Sequence, residues 1–169
     1  VTILGIDPGL GRIGYGLIRK TGSQLTVLDF GLIATDPSPT PDRLLLIHQA
    51  ISQLLQTHQP DTLALERLLF TKNTTTALDV AKAVGCILLA AAETQTPTIE
   101  YSPPEVKLAV TGTGRAEKKQ IQFMVAKLLG LPEPPRPDDV ADALAIAITH
   151  ALRAPLTQAQ AQAVKISTP

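Results

Sequence analysis

The chain has 169 residues, 15 basic against 15 acidic, and is 44% hydrophobic. That is enough apolar content for the core of one domain and too little length for two full ones, so wholesale disorder is excluded. The neutral total removes the simplest argument for a nucleic-acid binder, but it leaves room for a basic face beside an acidic site. The single cysteine, Cys86, excludes an internal disulfide framework and any multi-cysteine zinc module. It suits a reducing compartment, and the cytoplasm is the expected location. No apolar run reaches the roughly 18 residues of a membrane span. The opening VTILGI reads as a strand rather than a leader.

In chain order, residues 1–7 form a short apolar run closed by Asp7-Pro8-Gly9, the pattern of a buried strand ending in a turn. Residues 14–18 and 25–34 read as two more strands about the turn Thr21-Gly22-Ser23, which makes an antiparallel meander. After a proline-rich loop at 36–41, Leu44, Ile47, Ile51, Leu54 and Leu55 recur at helical spacing, and Pro60 ends that helix. A fourth strand is predicted at 62–66. An alanine-rich, mostly buried helix follows at 74–96, with small residues that suit a dimer interface. A fifth strand at 98–101 precedes a short helix opened by Pro103-Pro104 and running to about Val110. Residues 117–129 form another helix, with Ile121, Val125, Leu128 and Leu129 on one face. A rigid linker carries prolines at 132, 134, 135 and 137. The last helix is predicted from Val140 to about Arg153, and the Gln- and Ala-rich residues 154–169 are expected to be a frayed or disordered tail. Strands followed by alternating helix and strand give an α/β fold with a mixed sheet and helices on its faces.

Four acidic positions could carry chemistry. Asp7 closes the first strand, where Asp also serves as an ordinary turn residue. Glu66 ends the strand Thr62-Leu63-Ala64-Leu65, at the rim where α/β sheets place their sites or where a strand end is merely solvated. Asp139 and Asp142 share one face of the last helix. Asp138 or Asp139 could be its N-cap, whereas Asp142 sits among Val140, Ala141, Ala143, Leu144 and Ile146 and needs a partner or a metal there. If the four converge, their repulsion calls for hard divalent cations, which favour carboxylates. Two Mg²⁺ about 4 Å apart would drive in-line displacement at a phosphodiester without a histidine or serine nucleophile. His48, His58 and His150 accordingly carry no catalytic expectation, and Cys86 reads as a small core residue. Between Tyr101 and Lys127, Lys107, Arg115, Lys118, Lys119 and Lys127 face only Glu105 and Glu117, and Arg67, Lys72 and Lys82 follow Glu66. Such charges are either a solvated face or a phosphate track beside the site.

Gly5-Ile6-Asp7-Pro8-Gly9 with Gly14-Tyr15-Gly16, Leu65-Glu66 followed by Lys72-Asn73, Glu117-Lys118, and Asp139-x-x-Asp142-Ala143-Leu144-Ala145-Ile146-Ala147 resemble the RuvC-type Holliday-junction resolvases. The ordered set spans about Thr2 to Arg153. The resemblance implies a ribonuclease H-like nuclease domain over 1–153, with a five-stranded mixed sheet flanked by helices. It implies a homodimer that makes paired nicks in four-way DNA junctions during recombination and repair, in partnership with RuvA and RuvB. Mg²⁺, two ions per site, is the implied cofactor, and Mn²⁺ can substitute. Asp7, Glu66, Asp139 and Asp142 match the family's acidic catalytic and metal positions, with Asp138 the alternative to Asp139. Lys107 and Lys118 match lysines near the scissile phosphate, and Lys72, Asn73 and Arg115 are implied DNA contacts. The family's aromatic base-contacting position falls on Leu69 here, and the aromatic is Phe70, so either side chain could wedge or stack. Three other readings compete. One is an ATP-binding fold of the actin and sugar-kinase type, which needs two such domains. The others are a non-catalytic junction-binding module and a ribonuclease H-like nuclease acting on RNA, including the YqgF-type relatives.

Overall fold

A computed structural model describes the backbone of residues 1–68 and 74–166, with side chains described except at 74–76 and 154–166. Five strands form one mixed sheet in the order β3-β2-β1-β4-β5: β1 (Thr2–Asp7), β2 (Arg12–Thr21), β3 (Gln24–Ala34), β4 (Thr62–Glu66) and β5 (Thr98–Tyr101). The three N-terminal strands are the expected meander, with a bulge between Leu17 and Ile18 of β2. At the centre, β1 runs parallel to β4 with Ile6 opposite Leu65, and β4 runs parallel to β5. The C-terminal ends of two central parallel strands therefore open side by side, the usual place for a site in such sheets.

Five helices cover the sheet: α1 (Thr40–His58), α2 (Thr74–Glu93), α3 (Pro103–Thr111), α4 (Lys118–Leu129) and α5 (Asp138–Ile166). Because side chains alternate along a strand, the two faces make two cores. Leu4, Ile6, Leu63 and Leu65 pack with Ile47, Ile51 and Leu55 of α1 and Ile87 of α2, and Cys86 lies half-buried against this layer. Ile3 and Ala64 point the other way and join Val106, Ile121, Val125, Val140, Leu144 and Ile148 of α3, α4 and α5. Each fully buried Ile or Leu contributes about 1.5–3 kcal/mol of apolar transfer. By the same alternation, Asp7 and Glu66 share the face of Ile3 and Ala64, the one covered by α5.

Missing side chains let α5 lie close against that face. A Cβ at Gly14 would run into the Asp139 carbonyl oxygen, and one at Gly5 into that of Ala143. The helix starts earlier and ends later than the apolar pattern indicates. Asp138 and Asp139 form its first turn, where acids complement the helix dipole, and its backbone runs helical past Arg153 and through Pro155 to Ile166. Pro41 lies in the first turn of α1, so the proline-rich loop gives way to helix at Thr40. Among the described residues, no helix is long and apolar enough to cross a membrane.

Candidate active site

Asp7 and Glu66 end β1 and β4 one step beyond the Ile6–Leu65 pair, and both carboxyls are largely withdrawn from solvent. Asp7 is raised from its ordinary 3.8 to about 8, with burial the largest cause. The charges of Glu66 and Asp142, a hydrogen bond to Glu66 and the charge of Asp139 push it in the same direction. Burial also raises Glu66, and the charge of Asp142 adds to the rise. The hydrogen bond from Asp7 and the charges of Lys107 and Lys118 pull it back. Asp142 is raised by burial, against the pull of Lys118. Asp7 thus feels the other three acids, as a carboxylate gathered with others at one site must.

Two cations hold the helix acids. Lys118 Nζ lies 3.2 Å from Asp142 Oδ2 and 3.3 Å from Asp138 Oδ2. Burial works against the charge on this ammonium, but the two acids outweigh it and raise its pKa. Arg12 Nη2 lies 2.6 Å from Asp139 Oδ2. Asp138 is exposed, accepts a 2.8 Å hydrogen bond from Gln122 Nε2, and is lowered by Lys118. It faces α4, whereas Asp139 and Asp142 act on Asp7.

A cavity of about 220 Å³ adjoins this cluster, lined by Glu66, Lys107, Lys118 and Asp142 over an apolar floor of Val106, Ile121 and Ile146. Lys118 also lines a larger groove of about 580 Å³ with Arg12, Gln122, Arg136, Asp138, Asp139 and the prolines of the linker. The structure thus brings Asp7, Glu66, Asp139, Asp142, Lys107 and Lys118 together. Arg115 is exposed in the turn between α3 and α4 and lines neither cavity. Leu69, Phe70, Lys72 and Asn73 lie outside the described residues. His48 pairs with Glu93, His58 with Asp29 and His150 with Tyr101, and none of the three lines either cavity.

The donor set is all carboxylate, which suits a hard divalent cation rather than zinc. With Asp139 and Asp142 turned to Arg12 and Lys118, no three His, Cys, Asp or Glu side chains among the described residues are already arranged around one metal position. Arg12 was missed in the sequence. Its only signal there is its place five residues after Asp7, at the start of the returning strand.

The model of the family described as Crossover junction endodeoxyribonuclease RuvC matches residues 3–150. The RuvC of Brevibacillus brevis is 54% identical over 150 residues, covering 88% of this chain and 90% of that protein. The structure of Thermus thermophilus RuvC in complex with a Holliday junction substrate superposes with a TM-score of 0.88 at 37% identity, over 92% of this chain and 96% of that one. The yeast mitochondrial Holliday junction resolvase Ydc2 shares the fold, with a TM-score of 0.68 at 16% identity over 97% of this chain and 85% of that one. The chain belongs to the RuvC family of crossover junction endodeoxyribonucleases.

Proposed function

We propose that the chain is a divalent-cation-dependent endonuclease that resolves four-way DNA junctions by paired nicks. The observation that carries this reading is the convergence of Asp7 and Glu66, at the ends of two adjacent parallel strands, with Asp139 and Asp142 on the first turns of α5. Asp7, Glu66, Asp139 and Asp142 would hold Mg²⁺, two ions per site, with Mn²⁺ able to substitute. When bound, the ions supply the acidity that activates water and stabilise the leaving 3′ oxygen.

The chain's own residues do the rest. Asp7 is the hub, because its charge is opposed by the other three acids and it is the carboxyl most in need of a cation. Lys107 and Lys118 stand at the rim of the cavity, where an ammonium positions a phosphate and offsets the negative charge that the acids present to DNA. The apolar floor of Val106, Ile121 and Ile146 keeps bulk water from beneath the reacting group. Lys72, Asn73 and Arg115 extend the DNA contacts, and Leu69 or Phe70 would stack at the crossover. A homodimer supplies two such sites for paired nicks, and α2, with Leu78 and Leu89 exposed, is the surface assigned to it. RuvA and RuvB are the expected functional partners.

The test is cleavage, with Mg²⁺, of a four-way junction, the matching linear duplex and an RNA–DNA hybrid. Selective, symmetric nicking of the junction is expected. Preferential cleavage of the hybrid favours the RNA-directed reading, and binding without cleavage favours the non-catalytic module.

A further inference from the structure

The Arg12–Asp139 pair joins the acidic cluster to the groove beside it. Arg12 opens β2 immediately after the turn that follows Asp7, and its guanidinium reaches across to the first turn of α5. At 2.6 Å the two form a close ion pair through Asp139 Oδ2. The same guanidinium lines the groove of about 580 Å³, together with Lys118, Arg136 and the prolines of the linker. A carboxylate oxygen engaged in this way has less charge to offer a metal, and a guanidinium beside a divalent ion is repelled by it. Arg12 and a divalent cation therefore compete for Asp139. A released guanidinium would already lie in a groove with two other cations, and its planar fork matches a phosphate.

We propose that Arg12 couples cation binding to DNA binding. Its guanidinium holds Asp139 against a divalent cation, and a cation that takes Asp139 hands Arg12 to a backbone phosphate of the strand in the groove. The inference rests on Asp139 being a cation ligand, as proposed above. Arg12 is thus a positioning residue for substrate and a brake on cation uptake. By linkage, each ligand strengthens the other. The pair is partly exposed, at 53% and 31% of the side chains, so the coupling is of the size found for surface ion pairs.

The test uses the full chain and compares Arg12→Gln with a control, Arg43→Gln. Arg43 carries the same charge near Gly11, but its Nε donates to the Thr35 hydroxyl. In a thermal-shift titration with Mg²⁺ alone, Arg12→Gln should bind the ion about two- to fivefold more tightly than wild type, and Arg43→Gln no more than marginally so. With Ca²⁺ as an oxygen-seeking probe ion, the salt slope of four-way junction binding by Arg12→Gln should be smaller by about one than that of wild type. Without divalent ions the two slopes should nearly agree. Equal Mg²⁺ affinity in wild type and Arg12→Gln overturns the proposal, as does an equal gain in Arg43→Gln, which would mark a general field effect. A slope difference that does not depend on the ion overturns the hand-over. If wild type binds no Mg²⁺ at all, the divalent-cation reading falls and takes this coupling with it. If Mg²⁺ binds and junctions are cut while Arg12→Gln behaves as wild type, only the coupling falls.

Discussion

Asp7 and Glu66 end adjacent parallel strands, one step beyond the Ile6–Leu65 pair, so close that the Glu66 charge helps to raise the Asp7 carboxyl. Two carboxyls this close avoid double ionisation by retaining a proton or by taking a cation. The sheet fixes the pair in place, and α5 adds Asp139 and Asp142 from above. The fold therefore concentrates negative charge that destabilises the protein itself, and a cation would relieve it.

Removing one of these charges should accordingly stabilise the protein when divalent ions are withheld. The folded state raises Asp7 from 3.8 to about 8, so it holds a proton that the unfolded chain has released. Wild-type stability should fall as pH rises from about 4 to about 8. Asp7→Asn lacks that loss. At pH 8 with chelator it should be more stable by on the order of 1–2 kcal/mol, or about 2–8 °C in Tm. Melting curves across this range check the sign, and an Asn variant that melts lower at pH 8 contradicts it.

Asp138 and Asp139 should separate cleanly. Asp138 turns to Lys118 and Gln122, whereas Asp139 acts on Asp7. Asp139→Asn should lower the cleavage rate by more than the roughly 10- to 100-fold typical of groups that only orient ligands. Asp138→Asn should stay within about tenfold of wild type. Single-turnover junction cleavage by the two variants decides between them, and the reverse order would assign the site to Asp138.

Gly14 is required by the approach of α5. A Cβ there would overlap the Asp139 carbonyl oxygen, so Gly14→Ala should cost about 1–3 kcal/mol. It should also slow cleavage beyond what the lost folded fraction explains, because the helix that carries Asp139 and Asp142 must move. Gly114→Ala is the control, since a Cβ there meets only the Pro104 carbonyl oxygen, at an ordinary 3.7 Å. Equal effects of the two substitutions on Tm and rate would remove the packing argument.

β1 and β4 were legible because buried parallel strands read as short apolar runs, and the bounds of β4 match its run residue for residue. Asp142 stood out because a charge among Val140, Leu144 and Ile146 demands a partner. The Arg12–Asp139 pair was not legible, since it depends on how β2 and α5 meet in space and local spacing says nothing about that. Gly5 and Gly14 were visible as a motif, but their reason is a helix more than a hundred residues away in the chain. The Ser102-x-x-Glu105 capping signature was present in the sequence, yet its second partner, Arg153, comes from α5.

That capping contact sets an acid limit on stability. Glu105 Oε2 accepts from the Ser102 amide at 2.9 Å and the Ser102 hydroxyl at 2.7 Å, and Oε1 accepts from Arg153 Nη1 at 2.6 Å. The bonds from Ser102, with Arg153 next, hold Glu105 down at about 2 against an ordinary 4.5. A depressed acid contributes stability that is present above its unfolded pKa and lost as pH falls through the folded one. The loss should run from about pH 4.5 to about 2. Glu105→Gln keeps an acceptor at the cap but not the charge, so its Tm should depend less steeply on pH in that window. At neutral pH it should cost on the order of 1 kcal/mol or less, because the pair is partly exposed. Parallel wild-type and variant Tm curves below pH 4.5 would contradict this.

The central claim, that four carboxylates form one cation-dependent nuclease site with Asp7 at its hub, is tested most directly by the rate at which Asp7→Asn cuts a labelled four-way junction it still binds. Binding and single-turnover cleavage in Mg²⁺ should be measured on the same preparation. Junction affinity should be equal to or tighter than that of wild type, since one negative charge facing phosphate is gone, while cleavage falls below detection. An Asp7→Asn protein that binds normally and nicks the junction at a rate near wild type would contradict the account.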